Sequence, residues 1–261
     1  MIEMVNREEQ VLEILKQSNR LSVNEVAKTF SISEPSARRL CKKLADEGKV
    51  IRIHGGIRKL EPDLSSFQYQ YHQIEKECLE EKVAIARHAV SLIQPGSVVF
   101  LEAGTTIKQV AVQLAERIQR EGLDVTVYTN SLQNLSELSQ VTEVNMTGGK
   151  FRPQRQDFSG YIAERTIRNL WFDCCFIGAD AVNIRDGIMA SDVDTVRFDE
   201  LLIGRAKTSY VLVHSKKFYS RSLISVAPIH EVSGIITDAG LKPEILQEYR
   251  AQGINLTCVK L

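Results

Sequence analysis

Ser33-Glu-Pro-Ser-Ala-Arg-Arg-Leu-Cys-Lys-Lys-Leu44, followed by Gly48-Lys-Val-Ile-Arg-Ile-His-Gly-Gly56, says more than any other part of this 261-residue chain. If Ser33 caps a helix, Ala37, Leu40, Cys41 and Leu44 fall on one apolar stripe at i, i+3, i+4 and i+7. Arg39 and Lys42 then lie near the opposite face, with Arg38 and Lys43 flanking it. Four cations turned away from a core, followed by a short β-rich run ending in Gly55-Gly56, read as a DNA-reading helix and its wing. The competing reading, a solvated charged face, requires cap, stripe and polarity to coincide by accident.

Two helices are expected upstream. Val11, Ile14 and Leu15, helped by Leu12, form a stripe between Arg7 and Ser18. Ser22 and Glu25 have the spacing of a capping box, and Leu21 and Val26 that of a hydrophobic staple. This second helix runs through Ala27 to about Phe30. Ser31-Ile32-Ser33 supplies the turn, and Pro35 sits in the first turn of the third helix, where its missing N–H costs nothing.

Charge agrees with that placement. The chain is neutral as a whole, with Lys+Arg 33 and Asp+Glu 33, but residues 1 to 60 hold 12 cations against 8 anions. A basic head therefore sits on an acidic body, and its affinity for a polyanion should fall with added salt.

On these residues, Arg7 to Leu60 resembles the winged helix-turn-helix of the DeoR family of bacterial transcriptional regulators. That family's recognition helix reads Ser-x-x-Thr-Ile-Arg-Arg-Asp-Leu and its wing ends in Arg-x-His-Gly-Gly. Ser36, Ala37, Arg38, Arg39, Arg52, His54, Gly55 and Gly56 occupy the corresponding positions, with Ser36, Ala37 and Leu40 departing from the usual Thr, Ile and Asp. The candidate DNA contacts are Ser33, Ser36, Arg38, Arg39, Lys42, Lys43, Lys49, Arg52 and His54. Arg38, Arg39 and Lys43 are expected to position or read bases, and Lys49, Arg52 and His54 to grip the backbone.

The length suits a small head on a larger body. The expected division is a winged helix-turn-helix over 1–60, a linker and connecting helix over 61–93, and an α/β effector-sensing domain over 94–261. Glu61-Pro-Asp-Leu-Ser-Ser66 has the character of a boundary, and a helix is expected from about Glu75 to Ile93. No apolar run reaches the ~18 residues of a membrane span and Met1–Gln10 lacks a signal-peptide centre, so a soluble cytoplasmic protein is expected. Cys41, Cys78, Cys174, Cys175 and Cys258 lack metal-ligand spacing and read as free thiols, Cys174 and Cys175 on opposite faces of one strand. The dispersed histidines form no zinc-site pair with a cysteine, and neither metal nor redox cofactor is implied.

From Ser97 onward, short apolar runs alternate with helical periodicity. The runs are Val98–Leu101, Val125–Tyr128, Glu143–Met146, Cys174–Gly178, Tyr210–Val213 and Gly234–Thr237, a pattern that implies a mostly parallel sheet covered on both faces. Ligands in such folds sit beyond the carboxyl ends of the strands. There, Glu102-Ala-Gly-Thr-Thr106 opens directly into a helix, so backbone N–H groups and hydroxyls converge on an anion site. Thr129-Asn130-Ser131, Thr147-Gly148-Gly149-Lys150 and Gly178-Ala179-Asp180 are the neighbouring strand ends.

These motifs, with Phe176-Ile-Gly-Ala-Asp180 and Ser215-Lys-Lys-Phe218, resemble the DeoR family's C-terminal sensor, which has a ribose-phosphate-isomerase-like fold. The resemblance implies a phosphorylated sugar or close metabolite, held at its phosphate by Gly104, Thr105 and Thr106 and elsewhere by Asn130, Asp180 and Lys217. Thr129, Gly148 and Gly149 complete the candidate set. His214 and Lys216, standing where the family has Asp and Ser, are expected to add positive charge at the rim.

An isomerase is the rival reading. It is weakened by Ile177 in place of an Asp and by the absence of Lys from Gly187–Ser191, and Asp192, Asp194, Asp199 and Glu200 read more simply as a dipole-favoured helix entrance. The expected protein is thus a non-enzymatic repressor of carbohydrate genes that binds an operator as a homo-oligomer, dimer or tetramer, and is relieved by its effector. An activator of the same family and a sequence-indifferent nucleoid protein are the alternatives.

Overall fold

The computed structural model describes residues 2–18, 20–46, 49–53, 55–59 and 71–261. They fall into two units, Met1–Phe67 and Gln68–Leu261. Gly48, His54 and the boundary segment Glu61–Ser66 lie outside the described residues.

In the head, α1 (Ile2–Ser18), α2 (Val23–Thr29) and α3 (Glu34–Asp46) pack around Val11, Leu15, Val26, Ala37, Cys41 and Leu44, all buried. The α3 stripe is where the periodicity places it, with Leu40 half-buried at its edge. Ser22 and Glu25 form both halves of the capping box, the Glu25 N–H donating to the Ser22 hydroxyl and the Ser22 N–H to the Glu25 carboxylate. Strands β2 (Val50–Ile53) and β3 (Gly56–Lys59) form the wing hairpin, and β1 (Arg20–Ser22) adds a third strand against β3 that periodicity over three residues does not announce. The Gly-Gly pair has two separate causes. Gly55 turns the hairpin with φ +78, whereas a Cβ on Gly56 would lie 2.2 Å from the Leu21 carbonyl oxygen of β1.

The body opens with α4 (Tyr71–Ile74) and α5 (Leu79–Ser91). The helix expected from Glu75 instead begins at Leu79, because Cys78 takes a left-handed conformation, φ 51, and breaks it from α4. Ile85, Ala86, Ala89 and Val90 of α5 are buried in the body's own core, so 79–91 is part of the sensor unit and not a connector.

Seven strands make the main sheet: β4 (Ser97–Leu101), β5 (Val125–Thr129), β6 (Val144–Met146), β9 (Phe172–Ile177), β12 (Ala206–Leu212), β14 (Gly234–Asp238) and β15 (Leu256–Val259). Every neighbouring pair is parallel, in the order β15-β14-β12-β9-β4-β5-β6. Such strands are buried on both faces and carry near-continuous apolar runs, Phe172–Ile177 being one.

Helices α5, α6 (Thr105–Glu121) and α7 (Leu132–Leu138) cover one face. The other is covered by α8 (Tyr161–Arg168), α9 (Val193–Ile203) and α10 (Pro243–Ala251). Cys174 and Cys175 face opposite cores, and the five cysteines are free thiols. Phe172 is core, while Trp171 is 65% exposed beneath the Arg205 guanidinium.

Two antiparallel additions flank the sheet: the hairpin β7 (Lys150–Arg152) and β8 (Asp157–Ser159), and the three-stranded β10 (Ala181–Asn183), β11 (Gly187–Ala190) and β13 (Ile224–Ala227). From β4 the chain steps outward to β5 and β6, and from β9 it steps the other way to β12 and β14. The β4/β9 boundary is therefore the topological switch point, where an α/β sheet opens a crevice.

Candidate functional site

On the head, Arg38, Arg39 and Lys42 of α3 line one shallow depression with Arg52 of β2, so the helix and the wing present a single basic surface. All four are exposed. The Ser33 and Ser36 hydroxyls lie 2.9 Å apart at the start of α3, and Arg39 donates to Ser36 at 3.3 Å. Arg38 pairs with Glu34 one turn back at 2.6 Å, both groups being more than half exposed or nearly so, and such a pair costs little to exchange for a phosphate. Lys43 differs from its neighbours: its ammonium meets the buried Glu8 of α1 at 2.6 Å, and Lys49 approaches the same carboxylate at 3.7 Å. Glu8 thus ties α1 to α3 and to the entrance of the wing. His54 lies outside the described residues.

In the body, one cavity sits at the switch point, partly open to solvent. Gly104, Thr105, Thr106, Asp180 and Lys217 all line it. Gly104, φ 153, swings the chain from β4 into α6, and no side chain caps that helix, which leaves its first N–H groups directed at the cavity. Lys217 reaches in from the 3-10 turn Ser215–Tyr219 that follows β12. Asp180 follows β9 and is fixed by the Ser191 N–H at 2.8 Å.

Four expected residues are elsewhere. Thr129 is fully buried, donating to the Leu101 carbonyl and accepting from Asn134, so it fastens β5 to β4. Asn130 donates to the Phe158 carbonyl. Gly148 and Gly149 serve backbone packing: both have positive φ, and a Cβ on Gly149 would come within 2.6 Å of the Ser159 carbonyl oxygen. None of the four is among the residues lining the cavity.

The cavity contains groups that the motifs did not announce. Lys82 of α5 is 1% exposed, donates to the Ile74 carbonyl at 2.6 Å, and is pushed down to about 8 by burial, with Lys217 adding repulsion. Glu102 is 3% exposed and pushed up to about 8 by burial, against the pull of Arg155. Asp199 is 2% exposed and pushed well up by burial and by Glu102. The Asp192–Glu200 segment is therefore not uniformly a surface entrance. Asp192 is the N-cap of α9, but Asp199 two turns later faces inward because the helix packs on the sheet. His214, expected to add charge, is 6% exposed and pushed down to about 4 by burial, Lys217 and Lys82, so at neutral pH it is uncharged. Lys216 is exposed.

A DeoR-like helix-turn-helix domain matches residues 7–63, and the DeoR C-terminal sensor domain matches 77–239. The chain belongs to the DeoR family. It is a transcriptional regulator with a DNA-binding head and a sensor body. Its DeoR relatives include a putative aga operon transcriptional repressor of Escherichia coli O157:H7, 29% identical over 97% of this chain and 93% of that protein. The HTH-type transcriptional regulator GlpR of Haloferax volcanii is 31% identical over 96% of each. The lactose phosphotransferase system repressor of Lactococcus lactis is 31% identical over 93% of this chain and 94% of the other. Among solved structures, ribose 5-phosphate isomerase A of Methanocaldococcus jannaschii aligns over 52% of this chain and 53% of that one, with TM-score 0.40 and 21% identity. Among the described residues, no helix is long and apolar enough to cross a membrane.

Proposed function

We propose that this DeoR protein represses carbohydrate-metabolism genes and that a phosphorylated sugar in the body cavity relieves the repression. The observation that carries the reading is the convergence of the uncapped α6 N-terminus with the buried Lys82 and Lys217 at the sheet's switch point. Two ammonium groups that repel each other in the empty cavity gain from a dianion placed between them and the helix end. The burial of Lys82 makes its gain specific to a bound anion rather than to bulk salt.

The head binds double-stranded operator DNA through Arg38, Arg39, Lys42 and Arg52, with Ser33 and Ser36 at the helix entrance, and a homo-oligomer, dimer or tetramer, pairs two heads on one site. Lys43 and Lys49 act partly by holding Glu8 and so fix the angle of α3. The body senses and does not catalyse. Lys is absent from β11, and Asp180 is committed to the Ser191 N–H. The effector alters DNA affinity only by the difference between its affinities for the two states of the protein.

Footprinting on DNA upstream of the chain's own gene, repeated with a panel of sugar phosphates, tests both ends. Protection lifted by one sugar phosphate is the expected result. Protection indifferent to all of them, or turnover of any of them by the protein, refutes the reading.

A further inference from the structure

The cavity is electrically divided. Lys217 repels both Lys82 and His214, whereas Glu102 and Asp199 both feel the pull of Arg155 and Arg152, and Asp199 is also repelled by Glu102. On the second side each arginine already faces two other carboxylates, Asp157 and Asp192. Arg152 holds Asp157 through two bonds of 2.7 and 2.6 Å and Asp192 through a third of 2.6 Å. Arg155 lies 3.3 Å from Asp192 and 3.6 Å from Asp157.

Glu102 and Asp199 are left with no ion-pair partner among the described residues. Glu102 accepts one N–H, from Gly178 at 3.2 Å. Asp199 is 2% exposed, lines the cavity, and has an Oδ1 with no hydrogen-bond partner among the described residues. A buried acceptor left unmade is costly unless a ligand completes it.

We propose that Glu102 and Asp199 receive a primary ammonium group of the effector, which makes the ligand class the amino-sugar phosphates. This rests on the phosphorylated-effector reading above and narrows it. Burial disfavours the charged form of both carboxyls. A ligand with a phosphate at one end and an ammonium at the other matches both halves: the phosphate meets Lys82, Lys217 and the α6 N–H groups, and the ammonium supplies the charge and the donors that Asp199 and Glu102 lack. A hydroxyl in the same place donates but brings no charge, and an N-acetyl group removes the charge. Entry of the ammonium favours ionised carboxylates, so binding of an amino-sugar phosphate expels a proton into solvent.

Calorimetry on the full-length chain, in two buffers of different ionisation enthalpy at pH 7, provides the test. The probes are glucosamine 6-phosphate and galactosamine 6-phosphate, their parent hexose 6-phosphates and their N-acetyl derivatives. The expected result is at least one amino-sugar phosphate binding about tenfold or more tightly than its parent, equivalent to about 1.4 kcal/mol, with release of a proton that the parent does not cause. Asp199→Asn should bring that ratio near one. Glu102→Gln is the second variant should Asp199→Asn fail to fold, and the proton count on the unsubstituted protein needs neither. Equal affinity for amino and parent sugars, or a ratio unchanged in a folded Asp199→Asn, overturns the proposal while sparing the parent reading. Failure of every phosphorylated sugar to bind overturns both.

Discussion

Replacing Lys82 by Met should make the ligand-free protein more stable and deaf to its effector. Lys82 is 1% exposed, and burial first, then Lys217, lowers its pKa from 10.5 to about 8. At pH 7 the amine is charged in both the folded and the unfolded chain, so a fall of that size represents a folding penalty of about 3 kcal/mol. Methionine is of similar length, uncharged and adaptable in a core. It forfeits the hydrogen bond to the Ile74 carbonyl, a loss of about 1 kcal/mol. The net gain of about 2 kcal/mol should raise the melting midpoint of the sensor body by about 4–8 °C.

The pH dependence has a definite sign. Folded Lys82 loses its proton near pH 8 and the unfolded lysine near 10.5. Between those values the unfolded state binds more protons, so the stability of the unsubstituted protein rises with pH and the advantage of Lys82→Met shrinks. Melting curves at pH 7 and pH 10, each with and without sugar phosphate, read all of this. A variant that melts below the unsubstituted protein at pH 7, or an advantage that does not narrow by pH 10, refutes the account of Lys82 as a strained, ligand-ready cation.

Three further outcomes are expected. Gly56→Ala sets a Cβ against the Leu21 carbonyl and should destabilise the head by about 3 kcal/mol; operator binding is then lost in a gel-shift assay while calorimetric sugar-phosphate binding is retained. Arg39→Ala and Lys42→Ala should each weaken operator binding and lower the slope of log affinity against log salt by about 0.9 if each meets one phosphate; an unchanged slope for both would move the DNA contact off this face. Burial pushes the Cys174 thiol up to about 12 and the Cys175 thiol well above its usual value, so in the native protein at neutral pH neither should react with a disulfide reagent, and peptide mapping that finds early modification of either would contradict the packing.

The head was legible because its determinants are local. A capping box, a staple, a heptad-like stripe and a positive-φ glycine act over three to seven residues, and each puts its signature in consecutive positions. The parallel strands were legible for a related reason, since burial on both faces writes an unbroken apolar run such as Phe172–Ile177. Where the reading went astray, a non-local contact decided. Strand β1 exists only because β3 pairs with it, and α5 reads as a connector until the sheet face it covers is known. Gly149 illustrates the ambiguity in a single residue: a glycine at a strand end serves a ligand or a neighbouring backbone equally well in the sequence, and here Ser159 claims it.

The cavity divides along the same line. Gly104 to Thr106 are contiguous and announce an anion site, but the residues that give the cavity its chemical character come from five separate elements. Lys82 lies on α5, Glu102 after β4, Arg155 in the turn of the β7/β8 hairpin, Asp199 on α9 and His214 after β12. Nothing in the spacing of Lys82 and Asp199 relates them, and an acid within an amphipathic helix is usually a solvent-facing one. Only the packing of α9 on the sheet turns Asp199 inward, and only the prior claim of Asp157 and Asp192 on Arg152 and Arg155 leaves it unmatched. The same logic reverses the expectation for His214. A histidine in place of an acid reads as added positive charge, yet enclosure beside Lys82 and Lys217 keeps it neutral, and its Nδ1, without a partner among the described residues, then offers the cavity a hydrogen-bonding group in place of a cation. The anion site is therefore announced by the contiguous motif, and the groups around it by side chains that meet only after folding.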